Sequence, residues 1–151
     1  MSQSLSQLYI HLVFGTKNRV PFIIPEWSEQ LNAYMAGILK NLESPAIHIN
    51  SVADHVHILF RLSKNHALAK VVEEVKKNSS KWVKQIEYSN KKFSWQNGYG
   101  AFSVSSSKLE TVKNYIVKQE EHHKKKSYQK EVEEFLKRYN IIEYVPTYFW
   151  T

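Results

Sequence analysis

Two kinds of hydrophobic periodicity alternate along this chain, and few folds accommodate their order. Short runs rich in β-forming residues predict four strands, and longer runs with apolar residues at helical spacing predict helices between them. The order strand, helix, strand, strand, helix, strand is the ferredoxin-like pattern with an antiparallel sheet. The predicted strands are Gln7 to Gly15, Ala46 to Val52, His55 to Leu62 and Gly98 to Ser105, and the predicted helices span 26–42 and 67–86.

More helices are predicted after the fourth strand. An apolar stripe over residues 109–119 indicates a helix that carries Tyr115 at the edge of the stripe. The basic run 122–126 breaks this pattern, and Ser127 can cap a last helix that extends through Tyr139. The expected fold is therefore α+β, a ferredoxin-like antiparallel sheet (βαββαβ) with additional C-terminal helices, one of which carries Tyr115.

The composition indicates a single domain over residues 1–151 with a polyanionic partner. The net charge of +7 favours nucleic acid, because Lys and Arg neutralise phosphates. The chain has no cysteine, which excludes disulfides, thiolate zinc sites and a cysteine nucleophile. The amino terminus lacks a basic leader, and the apolar run from Leu8 to Phe14 is too short to span a bilayer. We expect a cytoplasmic protein without a membrane partner, at the nucleoid when bound to DNA.

His55 and His57 are the first candidates for chemistry. They flank Val56 in a predicted strand, where alternate side chains share a face, so both imidazoles point the same way. Their Cβ atoms would lie roughly 7 Å apart, a span that two imidazoles can close around one metal ion. Two half-buried histidines with ordinary hydrogen bonds fit the same pattern. His11, the lone histidine of the first strand, is expected to be structural rather than a ligand.

Tyr115 and Gln119 are the second candidates. They are four residues apart on a predicted helix, so both side chains face the same way. A tyrosine has an ordinary pKa near 10 and must be activated before it can act as a nucleophile at neutral pH. The sequence assigns no residue as the acceptor of its proton.

Together these features resemble a known family. His55-Val56-His57 is similar to the histidine-hydrophobe-histidine motif of the HUH endonucleases. The run Tyr115-Ile116-Val117-Lys118-Gln119 is similar to the tyrosine helix of the single-tyrosine transposases of the Insertion Sequence 200/605 class. The likeness extends to residues 13–19 and 95–103 and covers essentially the whole chain.

The resemblance implies a metal-dependent transposase that cleaves and rejoins single-stranded DNA with hairpin ends through a 5′-phosphotyrosine intermediate. Tyr115 would be the nucleophile, and His55, His57 and Gln119 would hold the metal. Three neutral ligands without thiolate favour Mg²⁺ or Mn²⁺. A phosphodiester intermediate needs no nucleotide cofactor. Family members are homodimers with composite active sites, in which the tyrosine helix of one protomer serves the histidine pair of the other. Candidate DNA contacts are Lys17, Arg19, Lys118, Lys124 and Lys125.

Other functions stay open at this point. Residues 98–104 resemble the aromatic strand of the RNA recognition motif, although Asn97 replaces the usual Lys or Arg and the spacing puts Tyr99 and Phe102 on opposite faces. A hydrolase that uses water would need a carboxylate or third histidine near the pair. Asp54 is the nearby acid, and we expect it to face away. Domesticated relatives that process palindromic repeats share the transposase motifs.

Overall fold

The computed structural model describes residues 2–119, 127–141 and 143–150. These residues contain a four-stranded sheet in which all neighbouring strands are antiparallel, with the order β2 (Ala46–Val52), β3 (His55–Leu62), β1 (Leu8–Gly15) and β4 (Gly100–Val104). This topology confirms the predicted α+β, ferredoxin-like fold, and the element boundaries differ from prediction by at most about two residues. The elements are β1 Leu8–Gly15, α1 Pro25–Asn41, β2 Ala46–Val52, β3 His55–Leu62, α2 Leu68–Ile86 and β4 Gly100–Val104.

One face of the sheet is an apolar core. Because side chains alternate along a strand, Leu12 and Phe14 in β1 lie on the same face as Val56, Ile58 and Phe60 in β3, and all five are fully buried. Helices α1 and α2 cover this face. Their buried apolar stripes are Trp27, Leu31, Met35 and Leu39 in α1 and Val71, Val72, Val75 and Val83 in α2.

The opposite face of the sheet carries the histidines. His11, His55 and His57 alternate with the core residues of β1 and β3, and all three are buried. They are covered by α3 (Leu109–Val117) and α4 (Tyr128–Arg138), the helices predicted after the last strand. The contacts that attach these helices join Ile116 to Leu59 and Val104, and Tyr128, Val132 and Phe135 to Val13 and Phe102.

The burial of this sheet face under α3 and α4 argues against the RNA-binding alternative. An RNA recognition motif stacks bases on exposed rings of its sheet. Phe102 is 5% exposed beneath α4, and Tyr99 packs with the apolar core instead. The predicted separation of these two rings onto different faces is confirmed, and the sheet presents no open aromatic surface of that kind within the described residues.

The C-terminal helices follow the predicted signals in part. Helix α3 ends at Val117, and Ser127 caps α4 as predicted by accepting a hydrogen bond from the backbone N–H of Lys130 at 3.3 Å. A short helix, α5 (Pro146–Phe149), was not predicted. Lys124 and Lys125 lie outside the described residues. Among the described helices, none combines the length and apolarity needed to cross a bilayer.

Gln96 connects several parts of the fold next to the histidine pair. Its Oε1 accepts hydrogen bonds from the Gly15 backbone N–H and the Tyr128 hydroxyl, both at 2.7 Å, and its Nε2 donates to the Phe149 carbonyl at 2.8 Å. Tyr128 in turn stacks on His55, with the ring centroids 4.3 Å apart. A Cβ on Gly15 would lie 2.5 Å from the Tyr128 ring, so this close approach requires glycine.

Candidate active site

The histidine pair lies at the start of β3, where the strand is held from both sides. His57 pairs with Val13 of β1 and with Asn50 of β2, so the backbone beneath the imidazoles belongs to a central strand. The two imidazole centroids are 5.2 Å apart. The two-residue spacing therefore places both rings together on the face covered by α3 and α4.

Glu131 on α4 joins this pair, although no sequence motif predicted it. Its Oε1 lies 2.8 Å from His57 Nε2 and 3.6 Å from His55 Nε2, and the residue is 1% exposed. One donor atom from each residue lies within 4.8 Å of the other two. Two imidazole nitrogens and one carboxylate oxygen at this spacing fit a single divalent cation, because each can approach it to about 2.0–2.2 Å.

Each histidine of the pair has a partner on its other ring nitrogen. His55 Nδ1 lies 2.7 Å from Asp54 Oδ1, so the prediction that Asp54 faces away is wrong. Asp54 belongs to the turn before β3, where strand alternation does not apply. His57 Nδ1 lies 2.8 Å from Nε2 of His11, which is therefore in contact with the cluster formed by His55, His57 and Glu131. Such partners orient the imidazoles of metal sites.

Burial and hydrogen bonding move the pKa values of two of these histidines in opposite directions. Burial lowers the pKa of His11 to about 3, and the neighbouring His57 contributes to the same shift. Burial also lowers the pKa of His55, but its hydrogen bond to Asp54 and the nearby Glu131 carboxylate outweigh that effect, so the net shift is upward. His11 is thus a neutral imidazole at physiological pH.

Tyr115 reaches the same cluster from α3. Its hydroxyl donates a hydrogen bond to Oε2 of Glu131, and its ring centroid lies 5.9 Å from that of His57. Burial, followed by the charge and hydrogen bond of Glu131, raises the pKa of Tyr115 well above its ordinary value. The hydroxyl is therefore protonated in this structure, and the cluster is built by one chain.

Gln119 lies beside the tyrosine. Its Nε2 donates to the Tyr115 backbone carbonyl at 3.4 Å, its side chain also hydrogen-bonds the Tyr115 hydroxyl, and it is fully buried. Asn50 Nδ2 on β2 donates to the Ile116 carbonyl at 2.9 Å. These contacts hold the C-terminal end of α3, and with it Tyr115, against the sheet.

The predicted DNA contacts that the structure describes are exposed. Lys17 and Arg19 lie in a single 3₁₀ turn after β1, and the Arg19 guanidinium sits 5.0 Å from the centroid of the Trp150 ring. Lys118 follows the last residue of α3. Their exposure leaves these cations accessible to phosphates.

The fold and the cluster together define a class of protein. It is a ferredoxin-like domain whose histidine-bearing sheet face holds two imidazoles, a carboxylate and a tyrosine hydroxyl in contact. A tyrosine hydroxyl next to two imidazoles and a carboxylate is an arrangement that can support metal-assisted phosphoryl transfer.

Comparison with known proteins identifies the family. The family model described as "Transposase IS200 like" matches residues 4–119, well over half of the chain. The chain therefore belongs to the IS200-like transposases, a family of DNA-processing enzymes, as its motifs predicted. The match includes both histidines, Tyr115 and Gln119 but ends before Glu131.

Solved structures support the fold. A protein assigned as a transposase from Deinococcus radiodurans R1 aligns with a TM-score of 0.58 and 21% identity, over 79% of this chain and 98% of its own. A REP-associated tyrosine transposase bound to a REP hairpin aligns with a TM-score of 0.60 and 13% identity, over 82% of this chain and 74% of its own. No curated protein matches the chain significantly.

Proposed function

We propose that this transposase cleaves and rejoins single-stranded DNA at the ends of a mobile element, through a 5′-phosphotyrosine intermediate on Tyr115. The observation that carries the proposal is the position of Glu131, whose two oxygens contact the Tyr115 hydroxyl and His57 Nε2. The nucleophile and the metal-binding groups thus meet at one side chain. Residues 1–151 act as a single domain in this reaction.

His55 and His57 would hold a divalent cation, Mg²⁺ or Mn²⁺, through their Nε2 atoms. Bound there, the cation would act as a Lewis acid that draws charge from the scissile phosphate. The donor set supports this choice, because it consists of imidazole nitrogens and oxygen atoms without thiolate, unlike most closed structural zinc sites.

The third protein ligand has two candidates. Helical spacing and family resemblance favour Gln119, a neutral ligand. The distances favour Glu131, because its Oε1 already lies 2.8 Å from His57 Nε2, whereas the Gln119 amide hydrogen-bonds Tyr115. We assign Glu131 as the third ligand and Gln119 as a support for the tyrosine. Mn²⁺ binding should then weaken much more in Glu131→Gln than in Gln119→Ala. The reverse order would show that Gln119 is the third ligand, as the family resemblance implies.

In the cleavage step, Oη of Tyr115 attacks the scissile phosphorus. The Oη–phosphorus bond forms, the bond from phosphorus to O3′ breaks, and the departing strand leaves with a 3′-hydroxyl. Glu131 Oε2 accepts the hydrogen bond of the Tyr115 hydroxyl and is placed to receive its proton, and O3′ takes a proton from solvent water as it leaves. When Glu131 has taken up this proton its negative charge is gone, and with it one cause of the raised pKa of Tyr115. Attack by a 3′-hydroxyl on the phosphotyrosine reverses these steps, so rejoining needs no nucleotide cofactor.

The substrate we propose is single-stranded DNA that carries a hairpin. The net charge of +7 supports a polyanionic partner, with exposed Lys17, Arg19 and Lys118 as phosphate contacts. Lys124 and Lys125 stay predictions. One structural neighbour is described as bound to a REP hairpin, which supports the same class of ligand.

We also propose a homodimer. In the described chain, Tyr115 lies beside its own His57, with the ring centroids 5.9 Å apart. Two copies that exchanged α3 would make the same contacts between protomers and give the composite sites that the family resemblance predicts. Mixing a His57→Ala chain with a Tyr115→Phe chain tests this, because only exchange of α3 restores cleavage.

A second candidate function is the processing of palindromic repeats that are no longer part of a mobile element. The description of the REP-associated neighbour favours it. The chemistry is the same, so the two uses are separated by substrate. DNA from the flanks of the gene supports the first use, and dispersed palindromes from the same genome support the second.

The deciding experiment is a search for a covalent adduct. The full chain is incubated with single-stranded DNA from both sources, with and without Mn²⁺, and denatured products are mapped by mass spectrometry. We expect a metal-dependent adduct on Tyr115 that Tyr115→Phe abolishes and that Tyr34→Phe, a control on α1, preserves. Cleavage by Tyr115→Phe would instead indicate a hydrolase with water as nucleophile. Metal-independent RNA binding without an adduct would indicate the RNA-binding alternative.

A further inference from the structure

His11 is a buried polar residue that the proposed reaction does not use. It is 2% exposed, and its Nε2 lies 2.8 Å from Nδ1 of His57. The two rings stack with centroids 5.1 Å apart, and the rings of Phe102, Tyr115 and Phe135 surround His11 edge-on. His11 contacts Nδ1 of His57, whereas Glu131 contacts Nε2, so the two residues use different nitrogens of the same ring.

The positions of the hydrogen atoms on His57 are argued from the two hydrogen bonds described for its ring, to His11 and to Glu131. Without a metal, Nε2 of His57 faces the Glu131 carboxylate, which only accepts, so Nε2 carries the hydrogen. A neutral His57 then has a bare Nδ1 and accepts a hydrogen bond from Nε2–H of His11. With a cation on Nε2, the hydrogen of His57 must be on Nδ1, and His11 must accept through a bare Nε2.

We propose that His11 is a positioning residue that lets His57 exchange between these two tautomers, so that the cluster can bind a metal while the buried hydrogen bond between His57 and His11 is kept. The inference rests on the metal-binding role proposed above for His57. A neutral imidazole suits this role because it can present Nε2 either as a donor or as an acceptor. A side chain that could only donate would place one N–H against another in the metal-loaded state.

The first test measures metal affinity in the absence of DNA. Mn²⁺ binding is followed by calorimetry in the parent chain, in His11→Phe, which keeps a ring but has no hydrogen-bonding atom, and in His11→Gln, whose amide can donate or accept. We expect His11→Phe to raise the Kd for Mn²⁺ at least about tenfold, the lower end of the effect of losing such a partner. His11→Gln should recover most of the affinity.

His66→Phe is the matched control for this substitution. His66 is partly exposed before α2 and pairs with Glu43 at 3.7 Å, so the variant changes the same atoms away from the cluster. We expect its Kd for Mn²⁺ to equal that of the parent. A folded His11→Phe with parental affinity would show that His11 only fills space, and would overturn the inference.

A second measurement covers the case in which His11→Phe does not fold. In parent protein with ¹⁵N-labelled histidine, Zn²⁺ serves as the diamagnetic probe. We expect the hydrogen of His57 to move from Nε2 to Nδ1 on Zn²⁺ addition, with a coupling across the hydrogen bond to Nε2 of His11. Absence of this coupling in protein that has bound Zn²⁺ would overturn the inference and leave the DNA reaction standing. If the parent protein bound neither Mn²⁺ nor Zn²⁺, both the inference about His11 and the metal-binding role of His57 would be overturned. If the parent bound metal but formed no adduct on Tyr115, only the proposed DNA reaction would be contradicted.

Discussion

The two faces of the sheet share the same strands but are stabilised by different physics. On the face under α1 and α2, apolar side chains such as Ile58 and Phe14 are fully buried, and their contribution scales with the area removed from water. On the other face, each buried polar atom needs its own partner, because burying one without a hydrogen bond costs about 1–3 kcal/mol or more. The first face therefore supports the fold, and the second holds the candidate active site.

This contrast is sharpest at two consecutive residues. His57 faces the cluster, where it contacts His11 and Glu131. Ile58 faces the apolar core. Substitutions at these two positions should therefore separate loss of activity from loss of stability within a single strand.

The largest expected effect is that of His57→Ala on catalysis. Loss of an outer partner of a metal ligand alone costs about 10- to 100-fold, so loss of the ligand should lower metal-dependent adduct formation by more than about a hundredfold. The fold should be retained, since the apolar face is unchanged. Adduct yield and circular dichroism check this. Parental cleavage and an unchanged Mn²⁺ titration would remove His57 from the metal site.

Ile58→Ala should show the opposite pattern. Removing a fully buried side chain leaves a cavity, and such substitutions cost about 2–5 kcal/mol of unfolding free energy. At a temperature where the variant is folded, its Mn²⁺ affinity should match that of the parent. Urea unfolding and calorimetry measure both quantities. A folded Ile58→Ala with a large loss of metal affinity would mean that the two faces are coupled.

The same contrast explains which parts of the molecule its sequence predicts. The apolar face and the strand register follow from period two and helical spacing, which are local patterns, so β1, β3 and the first two helices were predicted closely. The histidine pair and Tyr115 were recognised because each lies in a short motif. Their roles in catalysis stay predictions.

Glu131 was missed, Asp54 was misassigned, and the contact of His11 with His57 was not predicted, for a common reason. Their contacts with the pair depend on how a turn, a distant helix and a neighbouring strand meet, which no local pattern encodes. Glu131 had one signal. It lies three residues after Tyr128 and four before Phe135, so it falls on the buried face of α4, where an acid needs a partner.

A smaller effect should appear in the pH dependence of stability. The pKa of His11 falls from 6.5 to about 3 on folding, so below pH 6.5 the unfolded chain binds this proton and stability is lost. His55 has the opposite sign: its raised pKa contributes stability below its unfolded value, and that contribution is lost as pH rises through the folded value.

His11→Phe removes the first effect and keeps the second. Between pH 7.5 and pH 5, the parent should lose about 2 kcal/mol more unfolding free energy than the variant, because the slope approaches 1.36 kcal/mol per pH unit below the unfolded pKa. Urea unfolding at pH 7.5, 6.5 and 5.0 measures this. Equal losses in parent and variant would mean that His11 is protonated in the folded chain.

The smallest expected effect concerns the helix that carries Glu131. The Ser127 hydroxyl caps α4 by accepting from the Lys130 N–H at 3.3 Å, and Ser127→Ala should cost about 1 kcal/mol of unfolding free energy. Because Tyr128, Val132 and Phe135 still attach α4 to the sheet, metal affinity should change by less than about threefold. Ser80→Ala, inside α2, is the matched control and should change stability by only a few tenths of a kcal/mol. If Ser127→Ala lowered metal affinity as strongly as Glu131→Gln, the position of the carboxylate would depend on the helix cap, and the histidine-bearing face would rely on local helix stability as well as on its polar contacts.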